Sequence, residues 1–367
     1  VNRTSLRRIA APSAAALALG FALSACGAGN ETDNASSGSS DLSGKLDGSG
    51  SSAQESAMDA WRAGFQKANS GVTINYDPAG SGAGVEKFNA GGVDFAGSDA
   101  ALDPEKGEVD AAKKRCGADA IEVPNYVSPI AVVFNVEGVD KLNLAPKTIA
   151  GIFAGKIKTW DDAAIKADNP DAKLPSTKID PVHRSDESGT TKNFTDYLEK
   201  AGDGAWTYPA DKVWPIKSGE GANQTSGMIS AVGGGKGTVG YADLSQVGDL
   251  KAASIKVGDA WTPPSAEGAA KAVEASPLDD SRPEGDMAVK IDRTTTAAGA
   301  YPLMLTSYLI ACPTYDDKAK AALVKGFLTY VISEEGQQEA ADNAGSAPIP
   351  ASFAEKAKTI VDSISAK

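Results

Sequence analysis

The chain is expected to fold as α/β, in two α/β lobes joined by two crossing strands, and three observations carry that expectation. Short strand-like runs alternate with amphipathic helical runs along most of its length. Two longer apolar segments, Ile121 to Val136 and Tyr301 to Ala311, interrupt the alternation, and helices follow the second. The roughly 320 residues from Gly48 onward exceed what one compact core usually holds. One lobe is therefore assigned to residues 48–125 and 303–367, and the other to residues 126–302.

Taken in order, Ala53, Ala57, Trp61, Phe65 and Ala68 recur about once per helical turn, which predicts a helix over Ser52 to Asn69. Ser52 with Glu55 forms a capping-box pattern at its start. Val72, Ile74 and Tyr76 alternate as a half-buried strand, and Gly80 to Gly84 lead into a helix around Val85 to Asn89. Val93 to Ala96 reads as the next strand, with Ser98 and Asp99 in the loop at its C-terminal end, where open α/β sheets present ligand groups. The first crossing contains Pro124 and Pro129. Helices are then expected at Pro146 to Phe153, Trp160 to Ala167 and Ser188 to Ala201, with a strand at Ile179 to His183 between the last two. A short helix at Thr225 to Val232 precedes a strand at Thr238 to Leu244. Gly235-Lys-Gly-Thr-Val-Gly240 matches the dinucleotide fingerprint only formally, because it precedes a strand instead of opening a helix. After the second crossing, Ala319 to Ile332 and Phe353 to Ile364 show helical spacing, separated by a break at Gly345 to Pro350.

The N-terminus predicts export. Arg3, Arg7 and Arg8 precede an uncharged apolar run from Ile9 to Ala25, too short for the about 20 residues of a membrane span. Leu23-Ser24-Ala25-Cys26 then resembles a lipoprotein cleavage box. Residues 1–25 are expected to be a signal peptide, Cys26 the lipidated residue, and the polar stretch 26–47 a flexible tether to the outer face of the cytoplasmic membrane. Loss of the three arginines takes the formal charge from −12 to −15. Nucleic acid is thereby excluded as a partner, and any anion must be held by local dipoles against a repulsive overall field. Cys116 and Cys312 are the remaining cysteines. In an oxidising compartment they form one disulfide or stand as two small core residues. With these and the single histidine, His183, a Cys/His metal site is not expected.

Three stretches place small residues before a helix: Gly48-Ser-Gly-Ser-Ser52, Gly80-Ser-Gly-Ala-Gly84 and Ser188-Gly-Thr-Thr191. Helix starts carry free N–H groups and partial positive charge, so each can seat an anion. Arg184 and Asp99 stand in loops that can join them. Arg184 offers a planar fork for two oxygens, and Asp186 can orient it. An ionised Asp99 only accepts hydrogen bonds, so it favours an anion that still carries a proton, such as phosphate, over sulfate. Taken singly, Ser52 and Ser188 read as helix caps, Asp99 as a turn residue before Ala100, and Arg184 as half of a surface ion pair.

These motifs, with Val93-Asp-Phe-Ala-Gly-Ser-Asp99, Gly155-Lys-Ile-Lys-Thr-Trp-Asp-Asp162 and His183-Arg-Ser-Asp-Glu-Ser-Gly-Thr190, resemble the phosphate-binding lipoproteins that serve the high-affinity bacterial phosphate ABC importer, the Pst family. The resemblance runs from about Gly48 to the C-terminus. It implies a type II two-lobe periplasmic-binding-protein fold, without enzymatic activity, cofactor or metal. A monomer would close on phosphate and deliver it to an ABC permease. Carried over by position, the family's ligand contacts fall on Ser52, the N–H of Ala53, Ser81, Asp99, Arg184, Ser188, Gly189 and Thr190. Ser52-Ala53 departs from the Thr-Phe of many relatives, keeping the hydroxyl and losing an aromatic cover. Two other readings compete: a receptor for sulfate or molybdate, which Asp99 disfavours, and a phosphate-ester hydrolase. No Gly-x-Ser-x-Gly elbow or P-loop supports the hydrolase.

Overall fold

The computed structural model describes residues 42–367; the signal segment, Cys26 and most of the tether lie outside the described residues. The chain opens with β1 (Ser43–Gly50), α1 (Glu55–Ala68), β2 (Gly71–Asp77), α2 (Ser81–Asn89), β3 (Phe95–Ser98) and α3 (Glu108–Cys116). The long strand β4 (Ile121–Asn135) follows, then β5 (Asn143–Leu144), α4 (Pro146–Phe153), α5 (Ala163–Asp168), β6 (Asp180–Arg184) and α6 (Gly189–Ala201). Next come β7 (Glu220–Ala222), α7 (Gln224–Gly234), β8 (Thr238–Asp243), β9 (Lys251–Ala252), β10 (Ser254–Val257), β11 (Ala260–Thr262) and α8 (Ala266–Glu274). The chain closes with β12 (Met304–Ala311), β13 (Thr314–Tyr315), α9 (Lys318–Val331), α10 (Glu334–Ala344), α11 (Ala351–Asp362) and β14 (Ser365–Ala366).

The main sheet runs β2-β1-β3-β12-β4-β8-β6-β7, with β9 also on β4. β4 is the element that serves both lobes. Its first part, Ile121 to Pro129, is antiparallel to β12, and its second, Ile130 to Asn135, is antiparallel to β8. Pro129, which has no N–H to give a ladder, stands where the neighbour changes. The returning chain enters β12 beside that point, where Leu303 C=O accepts the Ile130 N–H at 2.8 Å. Phe65, Phe95 and Phe327 pack together under the first lobe's sheet. Phe153, Phe194 and Tyr241 do so in the second.

Several expectations shift. The tether predicted over 26–47 ends earlier, because β1 begins at Ser43: Leu46 is fully buried and the strand pairs in parallel with β2 from Ser43 onward. The capping box at Ser52 does not form. α1 starts at Glu55, and it is Ser51 whose hydroxyl accepts the N–H groups of Ala53 and Gln54. The helix expected at Trp160 begins only after Asp162, whose carboxylate caps Ala164 N–H. No helix follows Asp99, so that residue caps none. Cys116 and Cys312 form a disulfide. Among the described residues no helix is long and apolar enough to cross a membrane.

Candidate functional site

β1, β2 and β6 end in short turns that lead to the starts of α1, α2 and α6, and the loop after β3 carries Asp99. Ser188 caps α6 by accepting Thr191 N–H at 3.2 Å, leaving first-turn N–H groups without intrahelical acceptors. That helix start abuts the second turn. A Cβ added at Gly189 would come within 2.7 Å of Ser81 Oγ and 2.9 Å of Asp99 Cβ, so only glycine lets α6 approach this closely.

Asp99 is the meeting point. Its Oδ2 accepts from Thr190 Oγ1 at 3.0 Å and Ser81 Oγ at 3.4 Å, and its Oδ1 accepts from Ser307 Oγ at 2.7 Å. Its own N–H donates to Ser81 Oγ at 3.2 Å, and its C=O accepts from Asn193 Nδ2 at 2.6 Å. Among the described residues no cation pairs with this carboxylate. Hydroxyls from α2, α6 and β12 hold it instead, an arrangement that accepts a further proton donor but repels a bare oxyanion.

Arg184 ends β6 and is bound in fork fashion to Asp186, Nε to Oδ1 at 2.7 Å and Nη2 to Oδ2. Burial works to raise the Asp186 carboxyl, but the hydrogen bonds and charge of Arg184, with the Gln224 N–H, outweigh it and hold the carboxyl below its usual range. The pair adjoins the α2 start. A Cβ at Gly80, which has φ +101°, would fall 2.5 Å from Asp186 Oδ2 and 3.6 Å from Arg184 Nη2. Behind it, Arg184 N–H donates to Tyr241 Oη at 3.2 Å, and that oxygen also bonds Thr191 Oγ1 at 2.7 Å.

Ser52 approaches from the first lobe with a different partner than the sequence suggests. Its hydroxyl meets Thr225 Oγ1 at 3.0 Å and accepts Thr225 N–H at 3.1 Å, across the cleft at the start of α7. Ala53 N–H is taken by Ser51 Oγ at 3.0 Å. Gln246 Nε2 donates to the carbonyls of Ser52 and Ala53 at 2.5 and 3.0 Å. Ala53, despite lacking an aromatic side chain, is fully buried.

Ser52, Ser81, Asp99, Arg184, Ser188 and Thr190 are thus gathered, each only 1–3% exposed, which shields their electrostatics from bulk water. Sequence reasoning missed Ser307, Thr225 and Gln246. The one signal for Ser307 is a polar pair, Thr306-Ser307, inside an otherwise apolar strand; Thr225 and Gln246 carry none. His183 is turned away from ligand duty. Its Nδ1 lies 2.9 Å from Arg184 O, and its ring stacks on Trp214 with centroids 5.0 Å apart. Among the described residues, no three His, Cys, Asp or Glu side chains gather as a metal site.

A family profile described as a PBP superfamily domain matches residues 35–335. Phosphate-binding protein PstS 2 of Mycobacterium tuberculosis is 36% identical over 356 residues, covering 94% of this chain and 95% of that protein. Phosphate-binding protein PstS 3 of the same organism is 37% identical over 356 residues, covering 93% and 95%. Among solved structures, a high-affinity periplasmic phosphate-binding protein (PfluDING), bound with phosphate, superposes with a TM-score of 0.71 at 20% identity over 86% of this chain and 93% of that one. The chain belongs to the PBP superfamily and, within it, to the PstS family of phosphate-binding proteins.

Proposed function

We propose that this protein is an extracytoplasmic receptor that captures inorganic phosphate between its lobes and hands it to an ABC import permease. The observation that carries the reading is Asp99: a buried carboxylate that no cation pairs with among the described residues, held at the start of α6, while the buried Arg184 adjoins the start of α2 beside Ser81. Such a set suits a tetrahedral oxyanion that still holds a proton. The N–H groups of Gly189 and Thr190, the hydroxyls of Ser52, Ser81, Ser188 and Thr190, and the Arg184 fork oriented by Asp186 would carry the unprotonated oxygens. Ala53 N–H would join them by exchanging Ser51 for the ligand. Sharing of the Ser52 hydroxyl with Thr225 supports a closed state in which this side of the cleft is sealed.

We assign residues 48–125 and 303–367 to the first lobe and 126–302 to the second, with lipid on Cys26 tethering the receptor as a monomer outside the cytoplasmic membrane. The names of the curated relatives and the phosphate held by the solved neighbour support the same ligand. A hydrolase is disfavoured by the surroundings of His183, whose Nδ1 lies against a backbone carbonyl and whose ring stacks on Trp214.

Titration calorimetry with phosphate, sulfate and molybdate tests the reading. Phosphate is expected to bind tightly and the others weakly. Asp99→Asn should weaken phosphate by at least about tenfold and relax discrimination against sulfate, because the amide can donate to an anion that has no proton. Equal binding of sulfate by the unaltered protein, or steady turnover of nitrophenyl phosphate, would remove the reading.

A further inference from the structure

We propose that Ser307 is a positioning residue for ligand selection: its hydroxyl ties down the Oδ1 oxygen of Asp99, so that Oδ2 alone faces the bound oxyanion and tests it for a proton. The inference rests on the phosphate reading of the cleft and adds to it a residue outside the three helix starts.

The two oxygens of Asp99 are held differently. Oδ2 accepts from Thr190 and Ser81 at 3.0 and 3.4 Å, and both of these hydroxyls belong to the proposed ligand set. They can turn toward a ligand oxygen when one arrives. Oδ1 accepts from Ser307 at 2.7 Å, the shortest of the three contacts, from a strand that offers nothing else to the ligand. A short O–H···O⁻ bond of this kind is charge-assisted, and losing it would leave a buried acceptor unsatisfied.

The backbone explains how Ser307 reaches that position. Between Ser307 and Tyr308 the ladder with β4 changes register: Ser307 faces Tyr126 while Tyr308 faces Pro124, so Asn125 is an extra residue on β4. Irregularities of this sort re-aim neighbouring side chains. On its other edge β12 pairs Tyr308 with Ser98, which sets Ser307 beside the next residue of the loop, Asp99. Thr306 cannot take over, because successive strand residues point to opposite faces. Its Oγ1 is buried without a hydrogen-bond partner. Without Ser307, the carboxylate is free to rotate and draw Ser81 and Thr190 onto both oxygens. The single aimed acceptor is then lost.

The test is calorimetric titration of phosphate and sulfate into unaltered protein, Ser307→Ala and Ser307→Cys, with melting curves to check folding. The preference for phosphate over sulfate is expected to fall about tenfold in Ser307→Ala. Ser307→Cys, nearly isosteric but a weak donor, should lie between the two. A preference in Ser307→Ala equal to that of the unaltered protein overturns the inference, even if both affinities drop together. Should Ser307→Ala fail to fold, Ser307→Cys decides: an unaltered preference there overturns it. If the unaltered protein binds no phosphate, the parent reading fails instead.

Discussion

Asp243 stands at the last residue of β8, opposite Ile130, where β4 passes from one lobe to the other. Its Oδ1 is crowded with donors, from Tyr126 Oη at 2.9 Å and from Ser245 N–H and Oγ at 2.9 and 2.6 Å, while its Oδ2 is buried without a partner. Burial pushes this carboxyl up from 3.8 to about 6, against the lowering effect of Ser245, Ser128 and Tyr126. The folded chain therefore holds the proton more tightly than the unfolded one, and stability falls as pH rises from about 4 to about 6 and stays lower above. Asp243→Asn is expected to gain up to about 3 kcal/mol at pH 7.5 and nothing at pH 4. Urea unfolding at the two pH values checks this, and an equal effect at both would contradict it. At this scale the candidate ligand residues were legible only where the local string is distinctive. Asp99 follows a strand, Arg184 ends one, and both precede small residues, whereas Ser307 and Asp243 owe their roles to partners 208 and 117 positions away.

α6 shows how an element joins the site to the closure of the cleft. Ser188 N–H donates to Lys212 C=O at 3.0 Å, and the Lys212 ammonium, 2% exposed, crosses to Glu108 at the start of α3, with contacts of 2.7 and 2.8 Å. Lys192 on α6 meets Asp103 at 2.6 Å, and Lys106 meets Asp211 at 2.6 Å, so three ion pairs cross from the α3 side of the first lobe to the α6 side of the second. They are not equivalent. The Lys212 ammonium is buried, and removing Glu108 leaves it desolvated without its carboxylate; the exposed Lys106 pair is screened. Glu108→Gln is expected to speed phosphate release about tenfold in stopped-flow displacement, with the phosphate-to-sulfate preference unchanged. Lys106→Ala should stay within about twofold. A Glu108→Gln release rate equal to the unaltered one would show that this pair does not hold the cleft. Periodicity located α6 because Phe194, Tyr197, Leu198 and Ala201 lie on one face. It could not show that Lys192 and Lys212 reach across a cleft, since both read as solvated charges.

Over the whole molecule, the disulfide joins the end of α3 to the residue after β12; with the lobe division proposed above, both ends lie in the first lobe and the loop it closes contains the entire second lobe. In the chain-entropy model so long a loop contributes at most about 5 kcal/mol. The pair Cys116→Ser and Cys312→Ser is expected to lower the melting temperature measurably while leaving phosphate affinity within about twofold, because the bond does not span the cleft. Calorimetry with and without phosphate checks both halves of that statement. A large loss of affinity would mean that the bond shapes the site.

Local pattern alone was enough for the alternation of strands and helices, for both crossing segments, and for the three glycine- and serine-rich turns before helix starts. These depend on residue periodicity and on the steric freedom of small residues, which are properties of a short string. Only the tertiary structure decided that Ser52 meets Thr225, that Gln246 bonds the carbonyls of Ser52 and Ala53, that Ser307 anchors Asp99, and that Lys212 pairs with Glu108. Each of these is a hydrogen bond or ion pair between residues far apart in the chain. Its geometry exists only once β4 has brought the two halves face to face.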